Sequence, residues 1–308
     1  MKSKKIASHF IEINSTCNLE CRHCYRKGRP SGDMTLSNIL KISASTEAET
    51  IVIEGGEPLL HPEIEKILTG IKKQGKKITL ISNGTYIETH KELIKNTVNR
   101  LNISIDFPDE RHDIIRGKSG LFNIIRENLI SLKKEEIRPR IIIMTPIFKE
   151  NCESIPKLIK YAEEVADEIS FLKYSPVCQQ AYPGKLSAEK INSLYMEIHD
   201  LKKKSKLTFN LLDPIYYTLY PEEGIPRAKC NTRVFTSNNG ECSRCPFYPE
   251  MSKTMQEVQD KKEEEPLPEE CTPCEFKESC HGGCPSSRLV VNGTLNSRDP
   301  YCIKRFNV

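Results

Sequence analysis

Residues 9–25 read HFIEINSTCNLECRHCY. The run HFIEI is apolar and rich in β-branched and aromatic residues, which suits a buried strand. Three cysteines follow directly, at positions 17, 21 and 24. A structural zinc site or an ordinary ferredoxin cluster asks for four ligands. Three thiolates behind one strand therefore need a fourth ligand from elsewhere, or leave one metal position open to a molecule that binds and reacts.

Five more runs of the same kind follow: TIVIE (50–54), KKITLIS (76–82), RLNISID (100–106), RIIIMT (140–145) and EISFLKY (168–174). Between them PEIEKILTGIKK, ETHKELIKN, LFNIIRENLISLKK and IPKLIKYAEEV carry apolar residues at helical spacing. Strand and helix in alternation imply an α/β fold with parallel strands, either a partial or full barrel or a doubly wound sheet. In each of these, chemistry belongs at the carboxyl ends of the strands. A last helix is expected over SAEKINSLYMEIHDLKKKSK (187–206). Beyond it long periodic segments cease, and KKEEEPLPEE (261–270) reads as a charged, proline-broken connector.

The chain has 308 residues, 37% hydrophobic and 29% charged, with no apolar run long enough to span a membrane. Its opening MKSKKIASHFIEI lacks the features of a signal peptide, so a cytoplasmic location is expected. There, 13 cysteines point to metal or redox chemistry more than to disulfides. A net charge of +4 is too mild to argue for nucleic acid. Lys72, Lys73, Lys76, Lys77 and Lys202 to Lys204 read as solvated helix ends and faces.

The pattern C-x3-C-x2-C after the first strand, with aromatic Tyr25 beside the last cysteine, resembles the radical S-adenosylmethionine (radical SAM) superfamily. The resemblance implies a partial (β/α)6 TIM-like barrel over 8–205. Cys17, Cys21 and Cys24 would hold a 4Fe–4S cluster whose open iron binds the methionine part of S-adenosylmethionine. One electron then yields a 5′-deoxyadenosyl radical that removes a hydrogen atom from substrate. EGGEP (54–58) corresponds to the stretch that contacts the methionine amino group: Gly55 and Gly56 would allow close backbone approach, with Glu57 as acceptor and Pro58 alongside. Ser82 and Asn83 of SNGT would lie near the cofactor; Ser104 of ISID would contact the ribose, with Asp106 nearby. RHDIIRG (111–117) resembles the family's H-x-x-x-R segment. Its Arg116 would pair with the methionine carboxylate, while His112 reads as structural.

The C-terminal cysteines resemble a second pattern. Cys230, Gly240 and Cys245, then C-x2-C-x5-C-x3-C at Cys271, Cys274, Cys280 and Cys284, then Cys302, match the SPASM domain that follows many radical SAM barrels. The resemblance implies a loop-rich iron–sulfur domain over 206–308 with two auxiliary clusters, of the 4Fe–4S type. Cys271, Cys274, Cys280 and Cys302 would hold the outer one, and Cys230, Cys245 and Cys284 the inner one. Some relatives supply the fourth inner ligand where this chain has Thr236. Either Cys242, on an apparent hairpin with an NNG turn, completes the set, or an iron stays open. The rival is zinc, from the two C-x2-C pairs 242/245 and 271/274, which leaves the other cysteines unexplained. Three, four and four ligands leave Cys152, which reads as structural, and Cys178. Cys178 is either a hydrogen donor or acceptor in catalysis or a buried thiol.

The resemblance thus implies an oxidoreductase. The expected function is oxidation or crosslinking of a ribosomally made peptide or protein, with an electron donor such as flavodoxin or ferredoxin. Many peptide-modifying relatives carry an N-terminal leader-binding domain, whereas here the first strand is expected near residue 9, so substrate recognition is expected from the barrel rim, the C-terminal domain or a separate partner. A small-molecule or tetrapyrrole substrate stays open for that reason. An electron-transfer or metal-scaffold module is the non-enzyme alternative, which EGGEP, ISID and RHDIIR argue against.

Overall fold

A computed structural model describes residues 6–174, 184–224, 232–247, 254, 257–258 and 267–306. All six expected strands form: β1 (Ser8–Glu12), β2 (Thr50–Glu54), β3 (Lys77–Ser82), β4 (Arg100–Ser104), β5 (Arg140–Ile147) and β6 (Glu168–Lys173). Each pairs in parallel with the next. Strands covered on both faces read as nearly continuous apolar runs, which is why they stand out in the sequence. Helix α1 (Leu36–Ser45), which the sequence pattern did not single out, follows β1, with Thr35 capping its N-terminus. Helices α2 (Ile64–Lys73), α3 (Lys91–Thr97), α4 (Arg111–Arg116), α5 (Leu121–Lys133) and α6 (Ile155–Val165) follow in the later connections. In α2, Ile64, Ile67, Leu68 and Ile71 form one buried stripe. They join Ile51, Ile53, Ile78, Leu80, Leu101 and Ile103 in the main core. This is the partial TIM-like barrel expected of the sequence.

The sheet continues past the sixth strand at both edges. After α7 (Ala188–Lys204), β7 (Thr208–Leu211) pairs in parallel with β6. After α8 (Pro214–Leu219), β8 (Arg233–Thr236) adds in parallel to the free edge of β1, with His9 opposite Val234. Strand β9 (Cys242–Ser243) then pairs antiparallel with β8, closing the expected hairpin with Gly240 at φ 88°. The order is β7-β6-β5-β4-β3-β2-β1-β8-β9. Segments from beyond residue 205 therefore belong to the barrel's own sheet. Two short helices, α9 (Lys277–Cys280) and α10 (Pro285–Asn292), lie among the last cysteines. No helix of the described residues is long and apolar enough to cross a membrane.

Candidate active site

The carboxyl ends of β1 to β4 meet at the three-cysteine loop. Strand β1 runs on through Ile13 to Asn14, Ser15 and Thr16. There the EGGEP turn crosses it: Gly56 N–H donates to Asn14 O (2.9 Å) and Glu57 N–H to Thr16 O (2.8 Å). Asn14 Nδ2 donates to Glu57 O (2.9 Å). A Cβ on Gly55 would stand 2.2 Å from Asn14 Oδ1, and one on Gly56 2.3 Å from Thr16 O. The two glycines are thus required by close approach of the chain to itself, in addition to any approach to a cofactor.

Glu57 is fully buried, and both oxygens are engaged. Oε1 accepts from Ser82 Oγ (2.9 Å) and Leu59 N–H (3.1 Å), and Oε2 from Asn83 N–H (2.7 Å). Burial lifts its pKa to about 7 against these donors. Glu57 thereby ties the end of β2 to the end of β3, with Pro58 starting a buried turn. Asn83 Nδ2 reaches back to Asn18 Oδ1 (2.9 Å) and lies 4.0 Å from Cys17 Sγ. Asn18 sits between the first two cysteines and also donates to Thr85 Oγ1 (3.3 Å). Asn14 and Asn18 are the residues sequence reasoning missed; their only signal was polarity inside the strand–loop junction.

Cys21 is buried and Cys17 exposed. Burial pushes the Cys21 thiol up to about 11, with Arg116 opposing and the charges of Asp106, Cys24 and Cys17 adding to the rise. The Cys17 residue is exposed, yet neighbouring protein partly strips water from its thiol and raises it too, with the charges of Glu57 and Cys24 adding. Thiolates on this loop need a bound cation to be held. Backbone turns fix the loop: Cys24 N–H donates to Cys21 O (3.3 Å) and Arg22 N–H to Ile115 O of α4 (2.9 Å).

Beneath the loop lies a buried charged group. Arg116 grips Asp106 with two bonds, Nε to Oδ2 (2.7 Å) and Nη2 to Oδ1 (3.0 Å). Its Nη1 turns to Cys21 Sγ (3.9 Å). Burial would raise the Asp106 carboxyl, but Arg116 and His23 hold it well below the usual range. His112, fully buried, accepts from Asp106 N–H (3.1 Å). His23 stands 3.5 Å from Asp106 and stacks on Phe148 (5.5 Å). Arg116→Met leaves Asp106 buried without its cation. We expect a loss of about 3–5 kcal/mol in urea unfolding, much of it recovered in Arg116→Met/Asp106→Asn. Ser104 ends β4 opposite Met144, on the same rim.

Tyr25 points the other way. Its hydroxyl donates to Glu54 (3.3 Å), its ring meets Phe247 edge-on (5.4 Å), and the Arg29 guanidinium lies over it (5.0 Å). Arg29 also donates to Pro246 O. Cys245 precedes this contact, so the arm leaving Cys24 touches the arm leaving Cys245.

Four of the C-terminal cysteines converge. Cys271, Cys274, Cys280 and Cys302 line one partly open pocket with Ile215, Phe276 and Arg298 among its walls. Burial pushes Cys280 up to about 12, with the charges of Asp299 and Cys302 adding. Among the described residues no three His, Cys, Asp or Glu side chains close on a single-ion position; the thiols line a space. A cluster carried by four thiolates fits that donor set. Cys242 lies elsewhere, buried with Ile6, Ala48, Val234 and Val258, its Sγ 3.2 Å from Thr236 Oγ1. Thr236 in turn meets His9 Nε2 (2.7 Å). Cys284 is the N-cap residue of α10, and Cys152 is buried in the short turn that leads into α6. Cys178 and Cys230 lie outside the described residues.

Known proteins share this fold and stretches of this sequence. The chain is 26% identical over 337 aligned positions to a protein of Methanosarcina barkeri (strain Fusaro) named AdoMet-dependent heme synthase, covering 96% of this chain and 95% of that one. It is 30% identical over 189 positions to a probable GTP 3',8-cyclase of Methanococcus vannielii, covering 56% and 61%. The crystal structure of Streptococcus suis SuiB bound to precursor peptide SuiA superimposes with a TM-score of 0.77 at 18% identity, over 98% of this chain and 76% of that one. The profile of the radical SAM superfamily matches residues 11–162, the span from β1 to α6 that carries the three-cysteine loop. This chain belongs to the radical SAM superfamily.

Proposed function

We propose that this radical SAM enzyme carries out a net oxidation, with its C-terminal cysteines holding two auxiliary iron–sulfur clusters of the SPASM kind. The observation that carries the reading is the convergence of Cys271, Cys274, Cys280 and Cys302 on one cavity, in the same chain as the three-cysteine loop. When bound, the three-thiolate cluster supplies the electron that splits S-adenosylmethionine and so the radical that takes hydrogen from substrate. The chain's own residues hold and orient. Asn14, Asn18, Glu57 and Asn83 lock the loop to the strand ends, and Arg116 brings a fixed positive charge beside Cys21. Gly55, Gly56, Pro58, Ser82 and Ser104 complete the rim against which S-adenosylmethionine would lie, and Tyr25 braces the loop from its other side through Glu54 and Phe247. Cys230, Cys245 and Cys284 are the inner-cluster ligands in this reading, with Cys242 or an open position as the fourth.

Substrate class divides into two readings. A peptide or protein substrate draws support from the fold shared with SuiB, whose structure holds a precursor peptide. A tetrapyrrole substrate is favoured by the end-to-end alignment with proteins named heme synthase, which SuiB's longer chain does not offer. Iron, sulfide and zinc per chain test the first part on anaerobically reconstituted protein. About 12 irons are expected, the sum of three four-iron clusters; about 4 irons with zinc overturns the auxiliary-cluster reading. Incubation with S-adenosylmethionine, dithionite and either an iron porphyrin bearing carboxylate side chains or a peptide library tests the second. A porphyrin product short of hydrogen or carbon dioxide selects the tetrapyrrole. A peptide that has lost two hydrogens selects the peptide.

A further inference from the structure

Lys173, the last residue of β6, is buried where the barrel meets the C-terminal cysteines, its side chain 5% exposed. Its Nζ lies 3.2 Å from Asp213 Oδ2 and 3.2 Å from Asp299 Oδ2. Both aspartates are buried as well. Tyr195 donates to Asp213 (2.6 Å), and the Tyr301 ring lies 4.5 Å from the Lys173 ammonium. Asp299 is joined to both cysteine sets. Its Oδ2 accepts from Cys284 N–H (2.8 Å) and its Oδ1 from Tyr301 N–H (2.9 Å). Its own carbonyl accepts from Cys302 N–H (3.0 Å). A Cβ on Gly283 would collide with the Asp299 side chain at 2.2 Å, so the carboxylate is held tightly against the 282–284 turn.

A joint that only had to fasten barrel to C-terminal loops would be served as well by apolar side chains. Buried ion groups commonly cost as much as, or more than, well-packed hydrophobic residues of the same volume. Here one ammonium stands against two carboxylates, a net single negative charge with little water to screen it. The group reaches the ligands through direct contacts: the Asp299 carboxylate accepts from Cys284 N–H, and the Asp299 carbonyl accepts from Cys302 N–H. Net charge near a cluster and hydrogen bonding around its sulfurs set its reduction potential.

We infer that the buried Lys173–Asp213–Asp299 group sets the reduction potential of the auxiliary cluster held by Cys271, Cys274, Cys280 and Cys302. Lys173 is in this sense a positioning residue with an electrostatic output. It acts through the carboxylate it balances, which orders Cys284 and, through Tyr301 N–H, the turn that carries Cys302. The inference rests on the auxiliary-cluster reading above.

The test is a mediated dithionite titration of the reconstituted enzyme, read by electron paramagnetic resonance, with iron counted in parallel. Lys173→Met removes a positive charge and is expected to move the cluster's midpoint to more negative potential. Asp299→Asn removes a negative charge, keeps an acceptor oxygen for Cys284 N–H, and is expected to move it to more positive potential. Lys173→Arg keeps the charge and is expected to leave the midpoint at the wild-type value. Shifts of opposite sign in the two charge-changing variants support the inference, because a purely structural joint moves both the same way. Equal midpoints, or shifts of one sign, overturn it. Should Lys173→Met fail to load iron, Asp299→Asn decides alone: a positive shift supports and an unmoved midpoint overturns. Wild-type protein with about 4 irons overturns the auxiliary-cluster reading itself, a result distinct from full loading with unmoved midpoints.

Discussion

Cys24→Ala is expected to abolish 5′-deoxyadenosine formation while about 8 of about 12 irons remain, the share of two four-iron clusters. The separation follows from where the cysteines lie. Cys17, Cys21 and Cys24 share one loop and one set of supports, Asn18, Asn83 and Arg116. Cys271, Cys274, Cys280 and Cys302 line their own cavity, walled by α8 and the C-terminal turns. Two thiolates cannot hold the loop's cluster in place, and the buried Cys21 thiol has no reason to ionise without it. Deoxyadenosine assay and iron count on one preparation check both halves. Persistent deoxyadenosine in Cys24→Ala would sink the assignment of this loop.

Gly56→Ala is the second large effect, and it needs no cofactor to be seen. The added methyl would lie 2.3 Å from Thr16 O, 2.5 Å from Ser15 O and 2.7 Å from Thr16 C, all of them backbone. This backbone is tied by Ser15 N–H to Gly32 O and by Glu57 N–H to Thr16 O, and it cannot yield as a side chain can. We expect destabilisation of about 3 kcal/mol, at the upper end for overpacking. Displacement of residues 15 and 16 should also impair cluster assembly at Cys17. Gly70→Ala in α2 is the control. Its new Cβ meets only the end of the Leu40 side chain, at 2.7 Å, and alanine favours the helix. It should stay within about 1 kcal/mol of wild type. Thermal or urea unfolding of the unloaded protein separates the two, and equal stabilities would show that the crossing of EGGEP over residues 14–16 is looser than described.

Much of the barrel was readable because its strands obey a local rule. Runs such as TIVIE and RIIIMT are apolar along their whole length, since parallel strands are covered on both faces. The three-cysteine loop, EGGEP, SNGT and ISID each follow such a run, so their place at the strand ends came with the strands. Helix α1 was missed because LSNILKISAS mixes serine and asparagine into its turns, and its clearest mark is the cap at Thr35.

By itself the sequence determined the α/β class, the six strands, and the grouping of cysteines into a loop and a C-terminal set. These depend on periodicity and spacing within a few residues, which covalent geometry fixes. Only the tertiary structure decided that β8 lies beside β1 and that Arg116 spends two donors on Asp106. It alone showed Glu57 binding the end of β3, and Cys271, Cys274, Cys280 and Cys302 opening on one cavity. It alone brought Lys173 to Asp299, 126 residues away. Such pairings are settled by which buried charges and backbone groups find partners once the core has closed, and a buried group's partner carries no mark of sequence distance.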